Sequence, residues 1–172
     1  MRKICFPNCK INLGLRILRR REDGYHDIET IFYPIPLRDE IEINTTDKDG
    51  NPLTEDVLTM GGIPLPSDTE SNLVTKVVRM LREEGYDIPH LNIRLQKNIP
   101  SGAGLGGGSS DAAFMMKMLN ETFSLNMSDD EKEKCVGKLG ADCAFFVRNT
   151  PVIASGIGNI FTPTSIDLKG YW

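Results

Sequence analysis

The stretch Ile99–Ala113, IPSGAGLGGGSSDAA, holds five of the chain's sixteen glycines, and its reading constrains everything around it. Gly102, Gly104 and Gly107 satisfy G-x-G-x-x-G, the spacing of a dinucleotide-binding turn. The same residues also suit a phosphate loop of another kind. Glycine lacks a Cβ, so its backbone approaches an anion closely and takes positive φ without strain. Successive N–H groups can converge into an anion-binding concavity. A helix beginning at that point adds unpaired amides and the positive end of its dipole. Ser109 and Ser110 offer hydroxyls to phosphate oxygen or to Mg²⁺.

The flanking chain discriminates. A dinucleotide fold needs a fully buried parallel strand before the glycines and an acidic residue about twenty positions after them. Here Leu91–Lys97 alternates, with Asn92, Arg94 and Gln96 on one side, and Pro100 intervenes before the glycines. Residues 121–131 lead into a capped helix instead of out of a strand. The Walker A spacing fails as well, because the run ends in Ser109-Ser110-Asp111 where Gly-Lys-Ser/Thr is required. What remains is a phosphate loop opening a helix from about Ser109 to Asn120, apolar at Ala112, Ala113, Met116 and Leu119. Met115, Met116 and Met118 read as a mixture of core and surface at helical spacing.

Working outward, KICFPNCKINLGLRIL predicts a strand, a break near Pro7-Asn8 and a second strand. Asp23-Gly24 is a hairpin signal before a strand from Ile28 to Tyr33. DEIEINTTD alternates like a half-exposed strand, and a short strand is expected near Val57–Thr59. GGIPLPSDTE is a loop by its Gly and Pro content. Ser71 or Asn72 then caps a helix with Leu73, Val74, Val77, Val78 and Leu81 on one face, stopped by Gly85. Ser128–Glu131 is a capping box whose helix should end at Gly140. CAFFV and PVIAS read as buried strands. SIDLKGYW reads as the start of another strand, an abrupt finish that suggests a missing C-terminal half. Strands first and helices later, without regular βαβ alternation, predict an α+β fold.

With 172 residues, 40% of them apolar and 26% charged, the chain suits one ordinary domain. A net charge of −4 argues against nucleic-acid binding driven by phosphate contacts. No apolar run reaches membrane-spanning length and no signal-peptide core is present, so a cytoplasmic protein is expected. Cys5, Cys9, Cys135 and Cys143 form no C-x-x-C pair and read as reduced, mostly buried thiols.

Phosphoryl transfer to a hydroxyl needs a proton acceptor and a cation more than covalent chemistry. Asp142, between a helix stop and an apolar segment, can be the acceptor. Lys10, in a strand between apolar neighbours, can be the cation, and Asn12 shares its strand face. Tyr25-His26 sets an aromatic ring beside a donor and acceptor ring, a combination that can stack on a nucleobase and read its edge. Arg19-Arg20-Arg21 reads as a solvated turn.

Three segments, PNCKINLGLRILRRREDGYHDIETIF, KNIPSGAGLGGGSSDAA and LGADCAFFV, together resemble the galactokinase, homoserine, mevalonate and phosphomevalonate kinase (GHMP) superfamily. The pairing of KINLGL, DGYH and LGAD is most similar to the branch that phosphorylates the 2-hydroxyl of 4-diphosphocytidyl-2-C-methyl-D-erythritol in non-mevalonate isoprenoid synthesis. The resemblance implies ATP and Mg²⁺, the metal's protein ligands being left open, and a small-molecule acceptor with no nucleic acid or membrane partner. It implies that Lys10 and Asp142 are catalytic and that Asn12, Tyr25 and His26 hold the acceptor. It assigns the nucleotide to Asn72, Lys97, Pro100, Ser101, Gly102, Ala103, Gly104, Leu105, Gly106, Gly107, Gly108, Ser109 and Ser110. It implies a ribosomal protein S5 domain 2-like N-terminal domain over residues 1–160. Residues 161–172 would then be a linker or the start of a largely missing ferredoxin-like domain. A binding-only ATP module, or a member of the superfamily acting on homoserine, mevalonate or a sugar, is the alternative; oligomeric state is open.

Overall fold

A computed structural model describes residues 1–64 and 71–170. Two four-stranded sheets are built from β1 (Arg2–Cys5), β2 (Asn8–Arg20), β3 (His26–Arg38), β4 (Glu40–Asn44), β5 (Val57–Gly62), β6 (Asn92–Lys97), β7 (Val152–Ser155) and β8 (Ile160–Pro163). One runs β1-β4-β6-β5 and the other β2-β3-β7-β8. All pairings are antiparallel except β5 with β6, which are parallel and joined through α1 (Leu73–Glu83). That single βαβ unit inside an otherwise antiparallel fold is why no regular βαβ pattern is visible in the sequence.

Alternation decides the faces of the first sheet. Ile41 and Ile43 of β4 are buried, as are Ile93, Leu95 and Lys97 of β6. Against this face pack α1, through Val74, Val77, Val78 and Leu81, and α2 (Gly107–Thr122). Asn72 is the N-cap of α1, its side chain accepting from the Val74 N–H at 3.0 Å. Ser128 and Glu131 form the expected capping box at the start of α3 (Asp129–Gly137).

Several expectations are corrected. The helix after the glycines opens at Gly107, two residues before Ser109, because Gly106 in the left-handed region turns the chain directly into it. Met115, Met116 and Met118 are all buried, since α2 is surrounded by other elements and has no broad solvent face. α3 ends at Gly137 and not at Gly140. CAFFV is not a strand: Phe145–Arg148 form the single helical turn α4, stopped by Asn149 at φ 54°. A short apolar run does not distinguish these states by itself. Here Phe145 packs edge-on to Phe32, with ring centroids 5.3 Å apart, and the cluster of rings selects the turn. Residues 165–170 are not a strand; the Leu168 N–H donates to the Tyr33 hydroxyl at 3.1 Å. Residues 65–70, part of the expected loop, and 171–172 lie outside the described residues.

The hairpin joining β2 to β3 turns at Asp23-Gly24, with Gly24 at φ 85°. Arg19 and Arg21 make exposed ion pairs with Asp27, and Arg21 also pairs with Asp23, as a solvated turn would. β3 contains Pro34 and Pro36 although it is an inner strand. Its pairing with β7 stops at Phe32, so neither proline removes a bond from that ladder.

Candidate active site

The chain from Pro100 to Gly106 links the end of β6 to the start of α2. Gly102, Gly104 and Gly106 lie at φ 73°, 73° and 69°, an alternation of left-handed positions that only glycine takes without strain. At Gly106 a Cβ would lie 2.9 Å from the Phe146 ring and 3.2 Å from an Asp142 carboxylate oxygen. At Gly107 it would lie 2.8 Å from Ile99. The sequence therefore needs glycine here for close approach as well as for backbone conformation. The first turn of α2 leaves amides without intrahelical carbonyls at the loop's end.

Two grooves meet at this loop. The first, about 340 Å³, is lined by Pro100 to Ser109 together with Asn72, Lys97 and Asp111. The second, about 420 Å³, is lined by Lys10, Asn12, His26, Phe32 and Asp142 among others. Gly104 and Gly106 belong to both, so the glycine backbone is the wall between them.

β2 holds the loop against this wall. The Lys10 N–H donates to the Leu105 carbonyl at 3.0 Å, and the Asn12 amide donates to the Gly104 carbonyl at 3.3 Å. The Lys10 ammonium donates to Asn12 Oδ1 at 2.9 Å and lies 4.2 Å from the Phe32 ring centroid. Burial lowers its pKa, and the negative charge of Asp142 acts in the opposite direction. Asp142 itself accepts from the Ser109 hydroxyl at 2.6 Å, which ties the turn before α4 to the first turn of α2.

The residues singled out in the sequence are thus brought together unequally. Lys10, Asn12, His26 and Asp142 face one groove, whereas Tyr25 is exposed on the hairpin beside it and does not line it. Ser110 is buried beneath the loop and lines neither groove. Asn72 uses its side-chain oxygen to cap α1. Lys97, expected to meet the nucleotide directly, has its ammonium engaged by the carboxylates of Asp39 and Asp111. Asp39 and Asp111 were missed by sequence reasoning. The signal was the parity of β6, which places Lys97 on the same buried face as Ile93 and Leu95 and so demands an internal counter-charge.

Burial, opposed by Lys97 and reinforced by Asp39, pushes the Asp111 carboxyl up to about 7. An unfolded aspartate releases its proton near pH 4. The folded protein therefore holds a proton that the unfolded chain has lost, and folding becomes less favourable as pH rises through that window. Urea denaturation of the chain and of Asp111→Asn should show the difference drifting in favour of the variant from about pH 4 to 7, then levelling above about pH 8. No drift would mean that Asp111 ionises at an ordinary carboxylate pH.

Among the described residues no group of three or more His, Cys, Asp or Glu could hold a metal by protein ligands alone. Mg²⁺ commonly takes one or two protein oxygens and completes its shell with water and phosphate. The Ser109 hydroxyl, which lines the first groove, is an oxygen donor that fits this use.

Residues 72–150 match the family model described as GHMP kinases N terminal domain. The chain is 52% identical over 168 residues to a 4-diphosphocytidyl-2-C-methyl-D-erythritol kinase of Bacteroides fragilis, covering 98% of this chain and 60% of the relative. Its fold superposes on a crystal structure of 4-(cytidine 5'-diphospho)-2C-methyl-D-erythritol kinase with TM-score 0.77 and 30% identity, covering 96% of this chain and 56% of the other. Methanococcus jannaschii mevalonate kinase shares the fold with TM-score 0.68 at 17% identity, covering 96% of this chain and 56% of the other. The chain spans about 60% of the length of the curated relatives it matches. No helix among the described residues is long and apolar enough to cross a membrane.

Proposed function

We propose that this chain belongs to the GHMP kinases, carries their N-terminal domain and forms the nucleotide-binding part of a cytoplasmic kinase. The enzyme transfers the γ-phosphoryl of ATP to the 2-hydroxyl of 4-diphosphocytidyl-2-C-methyl-D-erythritol. The observation that carries this reading is the shared wall: one glycine loop separates two grooves, with Lys10, Ser109 and Asp142 where they meet. Phosphates held by the loop amides in the first groove lie next to a hydroxyl held in the second, and adjacency of this kind supplies much of the rate of a transfer.

In the transfer, the Asp142 carboxylate takes the proton of the acceptor hydroxyl as its oxygen bonds to the γ-phosphorus. The bond from that phosphorus to the bridging oxygen breaks, and ADP leaves. The Lys10 ammonium, held by Asn12, stabilises charge on the transferring oxygens. Bound Mg²⁺ would neutralise phosphate charge, with the Ser109 hydroxyl in the first groove as a protein oxygen. His26 from the second groove and Tyr25 beside it would hold the cytosine, the acceptor's distinguishing group. The domain belongs to the ribosomal protein S5 domain 2-like class and spans residues 1–160. A second, ferredoxin-like domain in the longer relatives would complete the acceptor site.

The test is phosphoryl transfer from ATP to a panel of this acceptor, homoserine, mevalonate and galactose, with CMP as competitor. Transfer only to the cytidylyl acceptor, inhibited by CMP, is the expected result. The Tyr25→Ala and His26→Ala variants should raise the acceptor KM more than they lower kcat. Preference for another alcohol, or indifference to CMP, would transfer the assignment to a different member of the family.

A further inference from the structure

The glycine loop is strung between two anchors, the exit of β6 at residues 97–99 and the first turns of α2 at residues 107–111. One buried cluster joins them. Asp39, between β3 and β4, accepts from the backbone N–H groups of Asn98 and Ile99, the latter at 2.9 Å, and also from the Lys97 ammonium. The same ammonium donates to Asp111 on α2 at 2.7 Å. The side chains of Lys97, Asp39 and Asp111 are 2%, 0% and 3% exposed. Ile99 lies directly beneath Gly107, so the two anchors also touch. Apolar side chains of similar volume would serve stability as well as a buried ion cluster does. Among the described residues, two buried oxygens, Ser110 Oγ and Asp111 Oδ1, have no hydrogen-bond partner. The arrangement is therefore a poor choice for stability alone and a good one for fixing a geometry.

We propose that the Asp39–Lys97–Asp111 triad sets the span of the glycine loop and thereby its affinity for the phosphates of a nucleotide, Lys97 acting as a positioning residue and not through contact with adenosine. This rests on the ATP reading given above. The two ends of the loop are held by one ammonium, so loss of its charge frees α2 to move relative to β6. The amides that converge on phosphate then diverge. A base or ribose lying on the outer part of the groove is indifferent to that displacement.

The decisive measurement is calorimetric titration of the chain and of Lys97→Met with Mg·ATP and separately with adenosine, under conditions where circular dichroism shows both folded. ATP should bind at least about tenfold more weakly to the variant, the scale of a small misplacement of binding groups. Adenosine affinity should stay within about twofold, as expected of a ligand without phosphates. Amide hydrogen exchange of residues 100–106 should accelerate in the same variant. Asp111→Ala, which removes the acceptor on α2 and so cuts the same tie, should show the same split if Lys97→Met fails to fold. An equal loss for both ligands would overturn the proposal in favour of direct contact with adenosine, and unchanged ATP affinity would overturn it outright. Failure of the unsubstituted chain to bind ATP is a distinct result that would remove the ATP reading, and the inference with it.

Discussion

Asp142→Asn should lower turnover by about 10²–10⁴-fold, the usual contribution of a positioned proton acceptor, while leaving ATP affinity nearly unchanged. The amide oxygen still accepts from Ser109, so the tie between the turn before α4 and the first turn of α2 survives. What is lost is the basic oxygen in the second groove, together with a negative charge that opposes the effect of burial on Lys10. The Lys10 pKa should therefore fall further, and the alkaline limb of any residual activity should move to lower pH. Single-turnover kinetics with ATP and the cytidylyl acceptor, alongside ATP titration, separate the two effects. Turnover retained within a few-fold would remove Asp142 from the role of base.

Gly106→Ala should cost more than any other single methyl group added to the loop. At φ 69° an alanine is strained by about 1–2 kcal/mol from backbone sterics alone. Its Cβ would also sit 2.9 Å from the ring of Phe146, a side chain with no exposed surface on which to retreat. Gly102→Ala is the internal control: φ is 73°, yet the added Cβ meets nothing within 4 Å among the described residues. Both variants should lose thermal stability. Only Gly106→Ala should also lose ATP affinity by about tenfold or more, because relief of the clash displaces the wall shared by the two grooves. Equal losses from the two variants would mean that backbone strain alone governs the loop.

Much of the candidate site is legible in the chain because glycine, proline and capping residues act locally. The alternation of β6, the cap at Asn72 and the box at Ser128–Glu131 each follow from neighbours a few positions away. The left-handed positions at Gly102, Gly104 and Gly106 and the unpaired amides at the start of α2 are of this kind, since both are local properties. Phe145–Arg148 were misread for the opposite reason: the choice between strand and helical turn there is made by Phe32, more than a hundred positions distant. The ion pairs of Lys97 are out of local reach in the same way, because its two carboxylate partners come from the β3–β4 junction and from α2.

By itself the sequence determined that a glycine loop opens a helix and that Lys10 and Asn12 share a strand face. Tertiary structure decided the rest. It set Asp142 against Ser109, placed the grooves back to back across Gly104 and Gly106, and turned Lys97 inward onto Asp39 and Asp111. The physical reason is range. Backbone conformation is fixed by sterics within a few residues, whereas charge pairing and close packing depend on which distant segments the core brings into contact.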